Sequence, residues 1–348
     1  MPMFSRGCKK EAIVQPKSSP SRAKLSKTPA VPLGRKKSVC SVVLRPRCTN
    51  ACIFCTPRQQ DNAYTRKEWS DSIRNAHEAI REFRAAGFDK LEVSGGDPLE
   101  YRGLPELIKD ARRLGFAWIR VSTNGVRLSD RRFAQALLKS GVDIFRIPLY
   151  GADAGRHDMV TGAPGSFDAT VRGIRNIKSS GGARLLLTSL LLKQTKDALI
   201  PIFDFIHELG CDDLYFSPAF ISNEESSFYI PYIHQGIYFR RLIKHAIRRR
   251  RHLRFRNIPY CVLGFYNDFT DNQGDPAFLG SRFQPSYGQE TSVPDLPRYR
   301  RKIKVKICAH CVVSRHCDGF LVNDILRFGV KSLEPIVSGQ CLRLPVSV

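Results

Sequence analysis

Cys48-Thr-Asn-Ala-Cys52-Ile-Phe-Cys55 follows the apolar, β-branched run Val39-Cys-Ser-Val-Val-Leu44 by only a few residues. The run predicts a strand. Thiolates packed so closely in sequence converge on one soft-metal centre, because iron and zinc sites are built from cysteine sulfur. Their number matters as much as their spacing. A structural zinc site closes with four protein ligands, whereas three thiolates around a cubane cluster leave one iron open for chemistry.

Outward from this stretch, short β-branched runs alternate with longer amphipathic ones. Strands are expected at Val39–Leu44, Lys90–Ser94, Trp118–Ser122, Ile144–Leu149, Arg184–Leu191 and Asp213–Phe216. Helices are expected at Ser70–Ala86, Leu104–Leu114, Asp130–Ser140, Ser166–Ser179 and Asp197–Leu209. Ser70, Ser129 and Ser166 stand where N-caps belong, and Gly87, Gly115, Gly141, Gly181 and Gly210 where helices stop. Strands joined by helical crossovers require a parallel sheet, either a partial barrel or a doubly wound sheet. Both gather functional loops at the carboxyl ends of the strands. After Pro218 the rhythm fails, and residues 267–299, rich in Gly, Pro, Asn, Asp and Ser, read as a long loop.

The chain has 348 residues, 42% of them hydrophobic, enough to bury a large core in roughly two domains. No apolar run is long enough to span a membrane, and no cleavable apolar segment follows Met1, so a cytoplasmic protein without membrane partners is expected. Eleven cysteines in such a chain argue for metal or redox work rather than a disulfide framework. The net charge is +24, unevenly spread. Residues 1–38 hold ten Lys/Arg against Glu11 alone and read as a disordered basic tail. Arg240 to Arg256 holds nine Lys/Arg and no acid, including Arg248-Arg249-Arg250-Arg251, and Arg298 to Lys306 forms a third basic block. Such blocks suit RNA phosphates or an acidic peptide, but a solvated basic surface is the plainer reading and nucleic acid is not favoured.

The C-x3-C-x2-C spacing with Phe54 before its last cysteine resembles the signature of the radical S-adenosylmethionine (SAM) superfamily. That resemblance implies a partial (β/α)6 TIM-type barrel over residues 39–218. It further implies a [4Fe–4S] cluster on Cys48, Cys52 and Cys55, SAM chelated at the open iron, and a 5′-deoxyadenosyl radical that abstracts hydrogen from substrate. An external electron donor, a flavodoxin or ferredoxin, is implied too. Ser94-Gly95-Gly96-Asp97-Pro98 resembles the family's GGEP-like segment with Asp97 in place of the commoner glutamate. The paired glycines let backbone approach a ligand, and Asp97 can receive a cationic amine. Ser122-Thr123-Asn124-Gly125 resembles the segment that contacts SAM, which makes Ser122 and Asn124 candidate cofactor residues beside Phe54, Gly95, Gly96 and Asp97. Thr188 or Ser189 could also face the ligand. His157-Asp-Met-Val-Thr-Gly162 with the following Ser166-Phe167-Asp168 resembles a loop of peptide- and cofactor-maturing members; there His157 could face substrate, while Ser166 and Phe167 suit a helix entry.

Cys308-Ala-His-Cys311-Val-Val-Ser-Arg-His-Cys317 is a second group, spaced C-x2-C-x5-C. It resembles the SPASM or twitch auxiliary-cluster module and implies a small cysteine-rich domain at 219–348. The SPASM pattern continues with a cysteine where this chain has Leu321, which favours a single auxiliary [4Fe–4S] cluster. Cys261, in Ile258-Pro-Tyr-Cys261, is the preferred fourth ligand and Cys341 the alternative. Zinc with His310 or His316 is the rival. The expected function is radical SAM catalysis in the maturation of a peptide, protein or cofactor precursor, on a peptide, protein or small-molecule substrate. The alternatives are RNA modification, or a non-enzymatic iron–sulfur or zinc binding protein.

Overall fold

Alternation of buried and half-buried residues along each strand, with glycine-ended amphipathic helices between, builds the sheet described here. The computed structural model describes residues 39–44, 47–55, 66–220, 227–270, 283–285 and 302–337. The tail at 1–38, Cys341 and most of 267–299 lie outside them. The strands are β1 (Val39–Leu44), β2 (Lys90–Gly95), β3 (Trp118–Ser122), β4 (Ile144–Pro148), β5 (Arg184–Leu191), β6 (Asp213–Pro218), β7 (Arg254–Phe255), β8 (Phe283–Pro285), β9 (Lys302–Ile303) and β10 (Phe320–Leu321). The helices are α1 (Arg66–Ala85), α2 (Leu104–Arg113), α3 (Arg131–Ser140), α4 (Ala154–Thr161), α5 (Ser166–Ser180), α6 (Leu199–Glu208), α7 (Tyr232–Arg249), α8 (Tyr260–Leu263) and α9 (Val322–Phe328).

The main sheet runs β7-β6-β5-β4-β3-β2-β1-β8, and every pair in it is parallel. A doubly wound sheet reverses its strand order at a switch point. Here the order runs without reversal from β1 to β7, with β8 added beside β1, so the sheet is a partial barrel. It has eight strands, two more than the six expected; β7 and β8 are too short to show a period in the sequence. β9 and β10 form a separate antiparallel pair. Among the described residues, no helix is long and apolar enough to cross a membrane.

The rhythm does not fail at Pro218. α7 and β7 extend it, and α7 buries Phe239, Leu242, Ile243 and Ala246 completely. Each large apolar side chain contributes about 1.5–3 kcal/mol, which outweighs the few tenths lost per like-charge pair among its arginines. The density of charge in this segment obscures the apolar spacing beneath it. Two of the three expected caps move by one residue. Asp130, not Ser129, caps α3 by accepting from the N–H groups of Arg132 and Phe133. Ser166 is the first residue of α5, behind Gly165, and Ser70 lies inside α1.

Candidate functional site

One face of the barrel wall is apolar. Cys40, Val42, Leu44, Leu91, Val93, Ile119, Val121, Phe145, Ile147, Leu185, Leu187, Leu214 and Phe216 all join a single buried cluster under the helices. The intervening positions carry polar side chains. Register sets Glu92 beside Arg120 and Ser122 beside Arg146. Glu92 is 3% exposed. Its carboxylate accepts from Arg120 Nη2 at 2.5 Å and Ser122 Oγ at 2.6 Å, and Arg146 Nη2 lies 3.1 Å away. Burial would raise its pKa, but Arg146 and Arg120, with the hydrogen bonds from Arg120 and Ser122, hold it at about 2. Ser122, expected at the cofactor, is thus engaged with Glu92. Thr188 lies on the same polar face, in register with Tyr215, while Ser189 is buried.

The first cysteine loop leaves the carboxyl end of β1 and is pinned from several sides. Ala51 N–H donates to the Thr161 carbonyl at 2.6 Å and Ile53 N–H to the Val160 carbonyl at 3.0 Å, so the loop docks on the end of α4. Gly162 closes that helix at φ +62, and a Cβ there would meet the Ala51 carbonyl oxygen at 2.8 Å. Phe54 packs edge-on against Tyr150 at 5.2 Å and Phe228 at 6.4 Å between ring centroids. Asn50 N–H points at Cys48 Sγ (3.4 Å), and Asn124 Nδ2 reaches both Cys48 Sγ (3.5 Å) and Thr49 Oγ1 (3.0 Å). Such N–H···S bonds favour a thiolate. Burial pushes the Cys48 thiol up to about 11 before any metal binds. Tyr150 is raised well above its ordinary value, first by burial and then by the neighbouring Cys52, Cys55 and Cys48. The three thiols therefore share one neighbourhood.

Gly95 and Asp97 bring β2 to the same place. Gly95 has φ +141, and a Cβ would lie 2.2 Å from the Leu44 carbonyl oxygen, so only glycine permits this approach of β2 to β1. Gly96 follows it into the turn. Asp97 is fully buried; Oδ1 accepts from Leu99 N–H (3.0 Å) and Thr123 Oγ1 (2.7 Å), and its own N–H donates to the Arg47 carbonyl (2.6 Å). Among the described residues, Oδ2 has no hydrogen-bond partner. Burial pushes the Asp97 carboxyl up to about 7. His157 is 1% exposed. Its Nδ1 accepts from Tyr150 N–H at 3.3 Å and its ring packs on Tyr150 and Phe167, so it braces the site rather than facing a substrate. Ser166 and Phe167 serve the helix entry, where Asp158 accepts from Ser166 Oγ and from the N–H groups of Gly165 and Phe167.

The second group gathers from two distant segments. Cys261 on α8 lines one small pocket together with Cys308, Cys311 and Cys317. Burial, then the neighbouring Cys317, Cys308 and Cys311, push the Cys261 thiol up to about 12. Gly319 N–H donates to Cys317 Sγ at 3.4 Å. His310 and His316 are exposed and absent from the cavity wall. Leu321 is fully buried in the core. Among the described residues, no three Cys, His, Asp or Glu side chains are gathered tightly enough for one mononuclear ion; what the cysteines share is a cavity.

Three features were not read from the sequence. They are the Glu92 network, Tyr150, and a buried latch between the two cysteine regions. In the latch, Asp324 of α9 accepts from Tyr229 Oη at 2.6 Å and Tyr232 N–H at 3.1 Å. Phe328 stacks on Tyr229, which shares an apolar cluster with Tyr150 and Phe54. Alternating charged residues on β2, β3 and β4 were the available signal for the first; nothing local marks the latch.

The profile of the radical SAM superfamily matches residues 42–206. A probable GTP 3′,8-cyclase of Metallosphaera sedula is 29% identical over 182 residues, 52% of this chain and 56% of that protein. An Fe-coproporphyrin III synthase of Methanosarcina barkeri is 30% identical over 173 residues, 50% of this chain and 42% of that one. The chain thus spans about half the length of the curated relatives it matches. Among solved structures, Streptococcus suis SuiB bound to precursor peptide SuiA superposes with TM-score 0.60 and 16% identity, over 88% of this chain and 76% of that one. A structure of anSMEcpe with AdoMet and the Kp18Cys peptide gives 0.57 and 13%, over 80% and 88%.

Proposed function

Because residues 42–206 form a radical SAM domain, we propose that this protein is a radical SAM enzyme with one auxiliary [4Fe–4S] cluster that matures a peptide or protein substrate. The carrying observation is the convergence of Cys48, Cys52 and Cys55 beside Phe54, Tyr150 and Asn124 at the carboxyl end of the barrel. The residues fit the group. Three thiols stand together, one of them braced by amide donors, and the Gly95 backbone passes where a Cβ could not. A [4Fe–4S] cluster with SAM at its open iron supplies, when bound, the hydrogen-abstracting 5′-deoxyadenosyl radical.

The chain's own part is to hold and orient. Asn50 and Asn124 stabilise the Cys48 thiolate, and the Phe54–Tyr150–Phe228 packing keeps water from the underside of the loop. Glu92 fixes Arg120, Arg146 and Ser122 on the polar barrel face. Cys261, Cys308, Cys311 and Cys317 would supply four thiolates to the auxiliary cluster. A fully ligated cluster has no open iron, which suits electron transfer rather than substrate ligation. His310 and His316 are absent from the lining of that cavity, which speaks against zinc held through either histidine.

Peptide maturation is supported by the fold neighbours, which extend over the C-terminal region and whose structures hold peptides. A small nucleotide substrate is the second reading, supported by the cyclase names of relatives that share the barrel. The test is anaerobic reconstitution followed by assay with SAM and dithionite. Formation of 5′-deoxyadenosine, about eight irons per chain, and loss of turnover in Cys52→Ala are expected. Turnover surviving that substitution would refute the site. Turnover stimulated by GTP with a cyclised product would replace the peptide reading.

A further inference from the structure

The exposed end of α7 is not absorbed by the catalytic reading. Arg241, Lys244, Arg248, Arg249, Arg250 and Arg251 are all exposed, and residues 240–256 contain no acid. Among the described residues none of these six has a carboxylate partner. Arg240 is engaged elsewhere, donating to the Val262 carbonyl at 2.9 Å. On neighbouring α6, Asp204 is taken by His245 at 2.8 Å. Arg250 itself sits at φ +51. That left-handed conformation is the C-cap of α7, with the Arg250 N–H donating to the Ala246 and Ile247 carbonyls, so it closes the helix and holds the arginine turn in place.

The topology fixes where this surface lies. α7 feeds the amino end of β7, which runs parallel to β6 with Arg254 beside Tyr215. The cysteine loop and the Gly95 and Asn124 turns leave the carboxyl ends of their strands. The arginines therefore occupy the opposite pole of the barrel, about 20 Å away through a six-residue strand.

We propose that this arginine surface binds an acidic segment of a peptide substrate, remote from the residue that reacts; the inference rests on the peptide reading above. Arginine clusters recognise acidic motifs through charge-assisted, often bidentate hydrogen bonds. Ile237 (57% exposed) and Ile247 (43%) on the same helix offer contacts to interspersed apolar residues. Single-stranded RNA fits less well, because it uses exposed aromatic platforms and here Phe239 and Phe255 are buried. A bilayer fits less well too, since the apolar face of α7 is spent on the core. An electron donor docked here would stand a barrel's length from the Cys48 loop. At about 3.3 Å per extended residue, the acidic segment must precede or follow the reacting residue by at least about six positions.

The experiment uses the iron-loaded full chain and fluorescence anisotropy at low salt. The probes are a labelled peptide alternating Glu or Asp with Leu or Ile, its Gln/Asn counterpart, and a uridine oligonucleotide of matched charge. The acidic peptide should bind and the neutral one should not. Replacing four cations by R248Q/R249Q/R250Q/R251Q should weaken binding roughly tenfold, which corresponds to about 1.4 kcal/mol. R241Q/K244Q, which leaves the turn intact, should weaken it severalfold, with circular dichroism confirming the fold of both variants. Equal binding of the neutral peptide, indifference to both variants, or equally tight binding of the oligonucleotide overturns the proposal. SAM cleavage by the wild type is measured separately. Its failure would remove the catalytic reading, while anisotropy still judges the surface.

Discussion

Arg120→Met tests the buried charge network that organises the polar face of the barrel. In the wild type, Glu92 is 3% exposed and meets Arg120 at 2.5 Å, with Ser122 and Arg146 as further partners. Deleting one partner of a buried pair strands the other charge and costs about 3–5 kcal/mol. Arg146 remains 3.1 Å from the other carboxylate oxygen, so the lower end, about 3 kcal/mol, is expected. The direction of the Glu92 titration agrees: against burial, which would raise it, Arg146 and Arg120 with the Arg120 and Ser122 hydrogen bonds hold the carboxyl below its ordinary 4.5. The sign follows from the direction of the shift. With the folded pKa depressed, this stability is fully present above pH 4.5 and is lost as the pH falls toward 2. The assay is guanidinium unfolding of anaerobically prepared protein at pH 7. Glu92→Gln combined with Arg120→Met should recover at least half of the loss, because no carboxylate charge is left buried. A single variant within about 1 kcal/mol of wild type, or a double variant no better than the single, would refute the reasoning.

Cys261→Ala should lower bound iron from about eight to about four per chain and leave the first cluster's spectrum unchanged; iron analysis and electron paramagnetic resonance read this, and full iron retention would remove Cys261 from the ligand set. Gly95→Ala places a Cβ 2.2 Å from the Leu44 carbonyl at φ +141 and should prevent soluble expression, whereas Gly165→Ala, at φ +80 with open space, should cost only about 1 kcal/mol. Expression yield and unfolding midpoints separate the two. Burial brings His157 from 6.5 down to about 4, so stability present above pH 6.5 should decline as the pH falls toward 4. His157→Gln should flatten that decline in thermal melts across the same range, and an unchanged slope would assign it to other groups.

Much of the fold was legible because its determinants are local. Six strands and five helices follow from apolar period and glycine stops, and all six predicted strands agree with the observed ones to within two residues at either end. The illegible parts have physical causes. β7 is two residues long, and the apolar face of α7 is hidden by the five cations Arg240, Arg241, Lys244, Arg248 and Arg249. Ser129 and Asp130 are both good caps, and only the backbone geometry chose Asp130. Ser122 read as a cofactor contact because Ser122-Thr123-Asn124-Gly125 resembles a SAM-contacting segment, but the acceptor of its hydroxyl, Glu92, lies thirty residues away on another strand.

The sequence alone determined the candidate metal-ligating triplet. Cys48, Cys52 and Cys55 lie within eight consecutive residues, so no folding event is needed to make them neighbours, and the strand before them sets which end of the sheet they crown. Tertiary structure alone decided the rest. It brought Cys261 to Cys308, Cys311 and Cys317 across more than forty residues, buried Asp97 against Thr123, and set the arginine turn at the far pole. Those contacts depend on sheet register and chain closure, which no short-range pattern of side chains encodes.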